Sequence, residues 1–259
     1  RSRAVTAKPL TLREISLFFF PLLLNVQMMS VSHSIINAGL ARDTDFVTAL
    51  AAFAVAMALH GLLASASYQN HTITIAMVRG RRSLRGTVIF VILVASLVSL
   101  LLAVVAFTPV GDFVLGRLLG VSGDIALHAK AVLGIIVFLP FLTGFRGFFQ
   151  GLVMQARHTS LVSLATIVRV VALLGFLALG RRWFSGADLG AFALLACIVI
   201  ETALMAAFAW RCRIHHEGGA DERGALEVLK FSFPLAYASC LQQSVPLLIN
   251  AIIGRLPDG

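Results

Sequence analysis

The stretch GTVIFVILVASLVSLLLAVVAFTPV, residues 86–110, decides the class of fold. It carries no charged side chain, and about 20 predominantly apolar residues are enough for a helix to cross the hydrocarbon core of a bilayer. The rest of the chain agrees, since its 259 residues are 59% hydrophobic and their mean hydropathy is +0.93. A water-soluble fold of this length needs less apolar surface, so the solvent of this chain includes lipid.

Six further stretches are long and apolar enough to span a membrane, and they are residues 17–40, 46–78, 125–154, 160–179, 189–210 and 232–253. The chain is therefore predicted to be an all-α integral membrane protein. Residues 46–78 and 125–154 exceed the hydrocarbon thickness, so they are expected to tilt or to project beyond the membrane. Residues 111–121 are too short to cross and are predicted to lie in the membrane interface.

The loops between these stretches indicate orientation. With the N-terminus on the cytoplasmic side, that side collects thirteen Lys and Arg residues and the opposite side six. This asymmetry predicts a multi-pass protein of the plasma (inner) membrane with a cytoplasmic N-terminus. Arg181 and Arg182 weaken this asymmetry, because they lie together on the opposite side. The net charge of +9 resides in short loop clusters without a continuous basic face, which excludes a nucleic-acid partner.

An internal repeat appears when the first apolar stretch is laid on the last at an offset of 213 residues. Ten of 32 positions are then identical without a gap, including Pro21 with Pro234 and Asn37 with Asn250. Because six predicted helices separate the copies, both enter the membrane in the same direction, the parallel-repeat plan of several secondary transporters. Residues 1–225 are accordingly predicted to form a six-helix lobe, and residues 226–259 to begin a second one.

The first residue is Arg1 and the last apolar run stops shortly before Gly259, so we expect the chain to be a piece of a longer, monomeric protein. Pro21, Asn25 and Gln27 interrupt the first apolar run, and no small-residue cleavage site follows it. That pattern argues against a removable signal peptide.

Four segments carry a family resemblance: FFPLLLN (19–25), SIINAGLARDTD (34–45), GFRGFFQGLVMQARHTSLVSL (144–164) and LKFSFPLAYASCLQQSVPLLINAIIGR (229–255). Together they resemble the multidrug/oligosaccharidyl-lipid/polysaccharide exporter superfamily, which includes the MATE multidrug exporters, and most closely the progressive ankylosis protein family. The resemblance covers nearly the whole chain.

The resemblance implies about twelve helices in two six-helix lobes, a central cavity between the lobes, and alternating access. It also implies export of a small anion of the pyrophosphate, nucleotide or citrate type. One departure concerns ion coupling: many drug-exporting relatives carry a carboxylate in the first helix, whereas no acid occurs here between Glu14 and Asp43. The sequence therefore leaves open whether a proton or a sodium ion is coupled to transport.

Three ionisable residues lie well inside predicted spans. Counted from the flanking cytoplasmic loops, Arg146, Arg169 and Glu201 all lie roughly 15–18 Å from the helix ends at a rise of ~1.5 Å per residue. Asn25 reaches the same depth from the first helix. Because intramembrane charges are costly and guanidinium suits carboxylate or phosphate, we predict that these residues line the site of an anionic substrate.

A structural alternative stands beside this prediction. Glu201 could pair with one arginine as a brace while the other snorkels or bonds backbone carbonyls. Gln150, one turn after Arg146, is a plausible second substrate contact or a bond to a neighbouring helix. Gly147 and Gly151 form a GxxxG pattern that predicts close helix packing.

Pro21 and Pro234 should kink the first and last helices, either as hinges of a rocking motion or as static kinks. Asn37 and Asn250 are expected near helix ends, where gating and capping are alternative roles. The three cysteines have no disulfide or metal spacing and read as packing residues.

The sequence shows no HExxH helix, no paired intramembrane aspartates, and no His or acid four residues from His33, His60 or His71. The run HHEGGADE, residues 215–222, is interpreted as a solvated connector, so neither an enzyme nor a metal or other cofactor is predicted. The leading function is secondary export of a small anionic metabolite across the lipid bilayer. The alternative is a flippase for a lipid-linked saccharide or polyprenyl substrate, and an intramembrane enzyme is remote.

Overall fold

A computed structural model describes residues 11–121, 123–212 and 224–253. All long elements in these ranges are α-helices. In chain order they are α1 (Leu12–Leu40), α2 (Phe46–Leu63), α3 (Asn70–Met77), α4 (Arg81–Phe107), α5 (Gly123–Ile135), α6 (Leu139–Gln155), α7 (Thr159–Gly180), α8 (Gly186–Arg211) and α9 (Ala225–Ile253). A 3₁₀ segment, Ser65–Gln69, joins α2 to α3, and a π-helical turn, Phe113–Leu118, follows α4.

Five helices are long and apolar enough to cross a membrane, or six if α5 and α6 form one bent span. The five are α1, α2, α4, α7 and α8. The chain is thus a multi-pass helical membrane protein. α9 is a helix of 29 residues that is not among them, and the predicted second lobe and twelve-helix repeat architecture stay predictions.

Neither over-long apolar stretch forms one tilted helix, contrary to expectation. Residues 46–78 are interrupted by the 3₁₀ segment, whose sequence SASYQ replaces the apolar pattern with small polar residues. Such side chains compete for backbone hydrogen bonds and weaken a helix. Residues 125–154 bend by 48° between α5 and α6. Pro140, in the first turn of α6, has no N–H to continue the helix that precedes it.

α6 makes side-chain hydrogen bonds with both ends of α3. The Gln155 amide donates to three carbonyls at the end of α3, those of Thr74, Ile75 and Val78, at 3.2, 3.1 and 2.9 Å. At the other end of α3, the Asn70 amide donates to the carbonyl of Gly144 at 3.2 Å. Lipid offers no partner to a free backbone group, so a broken helix persists only where protein supplies one.

Close approach of α3 to α6 depends on glycine. A methyl group placed on Gly151 would lie 2.6 Å from Cβ of Thr74 and 2.8 Å from the carbonyl oxygen of His71. The predicted GxxxG contact is therefore real, and its partner is α3.

Two apolar clusters form the core, one toward each end of the bundle. The first includes Ile36, Leu59, Leu102 and Ile198. The second includes Met77, Phe90, Phe148 and Met205. On α6, α7 and α8 alike, the chain passes from one cluster to the other through a single charged residue.

The helix α8 occupies the centre of this arrangement, since it packs against α1, α2, α5, α6 and α7. α9 packs against α2, α3, α4 and the 3₁₀ segment. There Gln69 donates to the Ser239 hydroxyl at 2.7 Å.

One end of the bundle is fastened by Asp43, in the loop after α1. Its carboxylate accepts the backbone N–H of Gly186, which begins α8 with a positive φ of 54°, and that of Thr44. The Gly186 N–H, followed by the Thr44 donors, holds the pKa of Asp43 below its usual range, because these donors stabilise the charged form.

Replacing Gly151 with Ala should lower the thermal unfolding midpoint of the detergent-solubilised protein, since overpacking a tight contact costs about 1–3 kcal/mol. The matched control is Gly175→Ala on α7, where a methyl group would meet nothing within 4 Å. Equal effects of the two changes would show that α3 and α6 do not pack as described.

Replacing Asp43 with Asn should lower the midpoint at neutral pH by about 1–3 °C, the response to a small stability loss. A lowered folded-state pKa stabilises the fold above the unfolded pKa of about 3.9 and loses that effect as pH falls through the folded value. The two proteins should therefore converge below about pH 4. Asp45→Asn, at an exposed residue that makes no side-chain cap on α2, should show no such convergence.

Candidate functional site

One carboxylate binds two guanidiniums in the interior of the bundle. Nη1 of Arg146 lies 3.4 and 3.3 Å from Oε1 and Oε2 of Glu201, and Nη1 of Arg169 lies 3.3 Å from Oε2. These residues come from α6, α7 and α8, and we call them the charged layer. All three distances exceed the roughly 2.7–2.9 Å of tight charge-assisted bonds, and the two arginines share the carboxylate.

The charged layer is almost completely removed from solvent. Arg146 is 8% exposed, Arg169 4% and Glu201 2%. With two cations and one anion, the layer has an excess of one positive charge when all three are ionised. The Nε atoms of both arginines are buried and have no hydrogen-bond partner in the described part of the chain. Such a layer retains unused capacity to donate to an anion.

Arg169 also reaches across to α1. Its Nη2 donates to the Ser32 hydroxyl at 2.9 Å and to the Met28 carbonyl at 3.5 Å. On the same face of α7, Thr166 donates to the side chain of Asn25 and lies 3.4 Å from Oε1 of Glu201. A polar network thus connects Glu201 to the first helix.

A further bond extends this contact toward the start of α1. The Ser163 hydroxyl donates to the Pro21 carbonyl at 2.6 Å. Ser163, Thr166 and Arg169 are spaced three residues apart, so they line one face of α7. Polar contacts therefore join α1 to α7 along this face.

Of the predicted site residues, the structure brings Arg146, Arg169, Glu201 and Asn25 together, and whether they bind substrate stays a prediction. Gln150 is half-buried one turn from Arg146, without a hydrogen bond to the layer. In the brace alternative Glu201 holds one arginine; here it holds both.

The predicted hinge and gate residues are more dispersed. Pro21 and Pro234 lie inside continuous helices. Asn37 is exposed near the end of α1, and its side chain makes no hydrogen bond with described residues, so the structure assigns it no capping bond. The side chain of Asn250 lies outside the described residues.

Sequence reasoning missed Ser32, Ser163 and Thr166. A signal was present, because Asn25 and Ser32 are seven residues apart and therefore share a helix face. Isolated serines and threonines are common in membrane helices, however, and only the neighbouring α7 makes these polar.

We also searched the described residues for side chains that could bind a metal ion. The described residues contain no group of three His, Cys, Asp or Glu side chains able to hold a metal ion. The loop carrying His215 and His216 lies outside the described residues.

Replacing Glu201 with Gln should destabilise the protein by about 3–5 kcal/mol, the cost of leaving a buried charge unpaired. Arg146→Gln should cost less, because one arginine and one carboxylate then remain as a neutral pair. Thermal unfolding midpoints of the two purified variants test this order. If Arg146→Gln were as damaging as Glu201→Gln, Glu201 would not be shared between the arginines.

Comparison with known proteins identifies the family. The sequence model of the progressive ankylosis protein (ANKH) family matches residues 9–251, a range that contains the whole charged layer. No curated protein and no solved structure matches the chain. The match covers nearly the full sequence, and on that ground the chain belongs to the progressive ankylosis protein family.

Proposed function

We propose that this chain forms part of an alternating-access secondary transporter that exports a small anionic metabolite of the pyrophosphate, nucleotide or citrate type. The observation that carries the proposal is the excess cation in the charged layer, where Arg146 and Arg169 share one carboxylate. One guanidinium is enough to neutralise Glu201. A second buried guanidinium is costly unless an anion joins it.

The chemistry of the layer fits phosphate or carboxylate groups. Guanidinium offers paired N–H donors that match two oxygens of such a group. Because the contacts to Glu201 are long, at 3.3–3.4 Å, an incoming anion can replace the carboxylate on one arginine. Glu201 then neutralises the other arginine, and one anionic group of the substrate offsets the excess positive charge of the layer.

The position of the layer supports alternating access. It lies between two apolar clusters that close the bundle on either side. With the layer buried as it is, a substrate reaches it only when helices separate. α1 is a suitable moving element, because polar contacts from Arg169 and Thr166 connect it directly to the charged layer.

Several finer features belong to the same proposal. They are a second lobe begun by α9, a cavity between the lobes, hinge roles for Pro21 and Pro234, a plasma-membrane location with a cytoplasmic N-terminus, and membership of the MATE-like exporter superfamily. The helix order and the repeat in the sequence support the second lobe, the cavity and the hinge roles. The Lys and Arg asymmetry of the loops supports the location and orientation, and the four resembling segments support the superfamily.

The test is transport of labelled pyrophosphate, citrate and ATP by the full-length protein in proteoliposomes. Arg146→Gln leaves a neutral Arg169–Glu201 pair, so we expect a folded protein whose transport falls at least about tenfold, with a raised KM, after loss of one charge-assisted contact. Arg146→Lys keeps the charge without the paired donors and should be intermediate.

Arg117→Gln, at an exposed arginine of the π-helical turn, is the matched control and should transport normally. Normal transport and KM in Arg146→Gln would reduce the layer to a structural brace. Failure of the unaltered protein to transport any of the three anions would contradict anion export and give the flippase alternative first place.

A further inference from the structure

A groove lies where α1 and α7 end, away from the charged layer. It is a cavity of about 440 Å³. Its floor is apolar and includes Ile35, Leu174 and Leu177. Small residues provide the space: a methyl group on Gly39 would already lie 3.3 Å from the side chain of Leu177.

Two arginines close the groove at one end. Arg42 follows α1 by two residues, and Arg181 follows α7 by one. The Arg181 guanidinium is anchored by a bond from Nη2 to the Gly39 carbonyl at 3.2 Å. Since α1 and α7 are both candidate spans that end at Leu40 and Gly180, these cations lie at the level of lipid headgroups.

In the described part of the chain, neither guanidinium of the groove, that of Arg42 or that of Arg181, is paired with a carboxylate. The nearest acid in sequence, Asp43, is engaged by the Gly186 N–H and by Thr44. Two exposed guanidiniums therefore remain beside an apolar floor.

A second groove provides a comparison, because its cation forms an ion pair. Between α4 and α5 lies a cavity of about 550 Å³ with a similar apolar lining and one cation, Lys130. There Nζ of Lys130 lies 2.8 Å from Oδ1 of Asp112. Both grooves have an apolar lining, and of the two the one between α1 and α7 carries cations without an ion-pair partner among the described residues.

We propose that the α1–α7 groove binds one anionic phospholipid of the leaflet at this end of the bundle. The lipid phosphate lies between the guanidiniums of Arg42 and Arg181, and an acyl chain covers Ile35, Leu174 and Leu177. Charge complementarity and the exposure of Leu174, 53%, favour lipid over a soluble anion, which would leave the apolar floor uncovered. This site is separate from the proposed transport site.

The experiment measures the thermal unfolding midpoint of the full-length protein in neutral detergent. Phosphatidylglycerol should raise the midpoint by about 2–4 °C, as expected for a ligand that binds only the folded state. Phosphatidylcholine with the same acyl chains should not. Arg42→Gln and Arg181→Gln should each remove most of the shift.

Arg182→Gln is the matched control, because Arg182 is the exposed neighbour of Arg181 and does not line the groove; it should keep the shift. Ala38→Phe, which fills the floor, should lose it. An equal shift with phosphatidylcholine, an equal loss in Arg182→Gln, or an unchanged shift in Ala38→Phe would overturn the proposal.

The same unfolding measurement is repeated with inorganic phosphate and with pyrophosphate in place of lipid. A shift from either one that disappears in Arg42→Gln would make the groove a vestibule for soluble anions and would overturn lipid binding. A failure of the lipid-binding test would not affect the proposed transport site at Arg146, because the transport assay uses different residues and a different readout.

Discussion

Glu201 accepts hydrogen bonds from two guanidiniums at a depth where water cannot replace a lost partner. This constraint orients the three helices that meet there, since α6 and α7 must each present an arginine to the same side of α8. It also reaches α1, through Arg169 and Ser32. The two apolar clusters on either side of the charged layer exclude water. Without water to solvate them, the two guanidiniums need the shared carboxylate as a partner.

The same absence of water governs the broken helix. Beyond the break, the last carbonyls of α3 accept hydrogen bonds from the Gln155 amide of α6. Gly151 lets the two backbones approach closely enough for this. α6 consequently has two tasks: it bonds to both ends of α3 along one face and delivers Arg146 to the charged layer from another.

Positive charge recurs at two levels of the bundle with different surroundings. In the charged layer, Arg146 and Arg169 are buried and partly neutralised by Glu201. At the end of α1 and α7, Arg42 and Arg181 are exposed beside an apolar groove. The first setting suits an anion that arrives stripped of water, and the second suits a headgroup that stays in the interface.

Apolar runs longer than a bilayer span determined the helical membrane class from the sequence alone, because only helices can satisfy the backbone throughout such runs. Counting residues from the basic loops also placed Arg146, Arg169, Glu201 and Asn25 at one depth. Hydropathy averages over a window, so the break after Leu63 and the bend near Pro140 escaped it. The depth of a residue also does not specify the direction in which its side chain points around the helix. The packing of the helices decided that both arginines face one carboxylate and that Ser32 and Thr166 join them. Sequence alone could not show this, because the partners of each side chain lie on neighbouring helices.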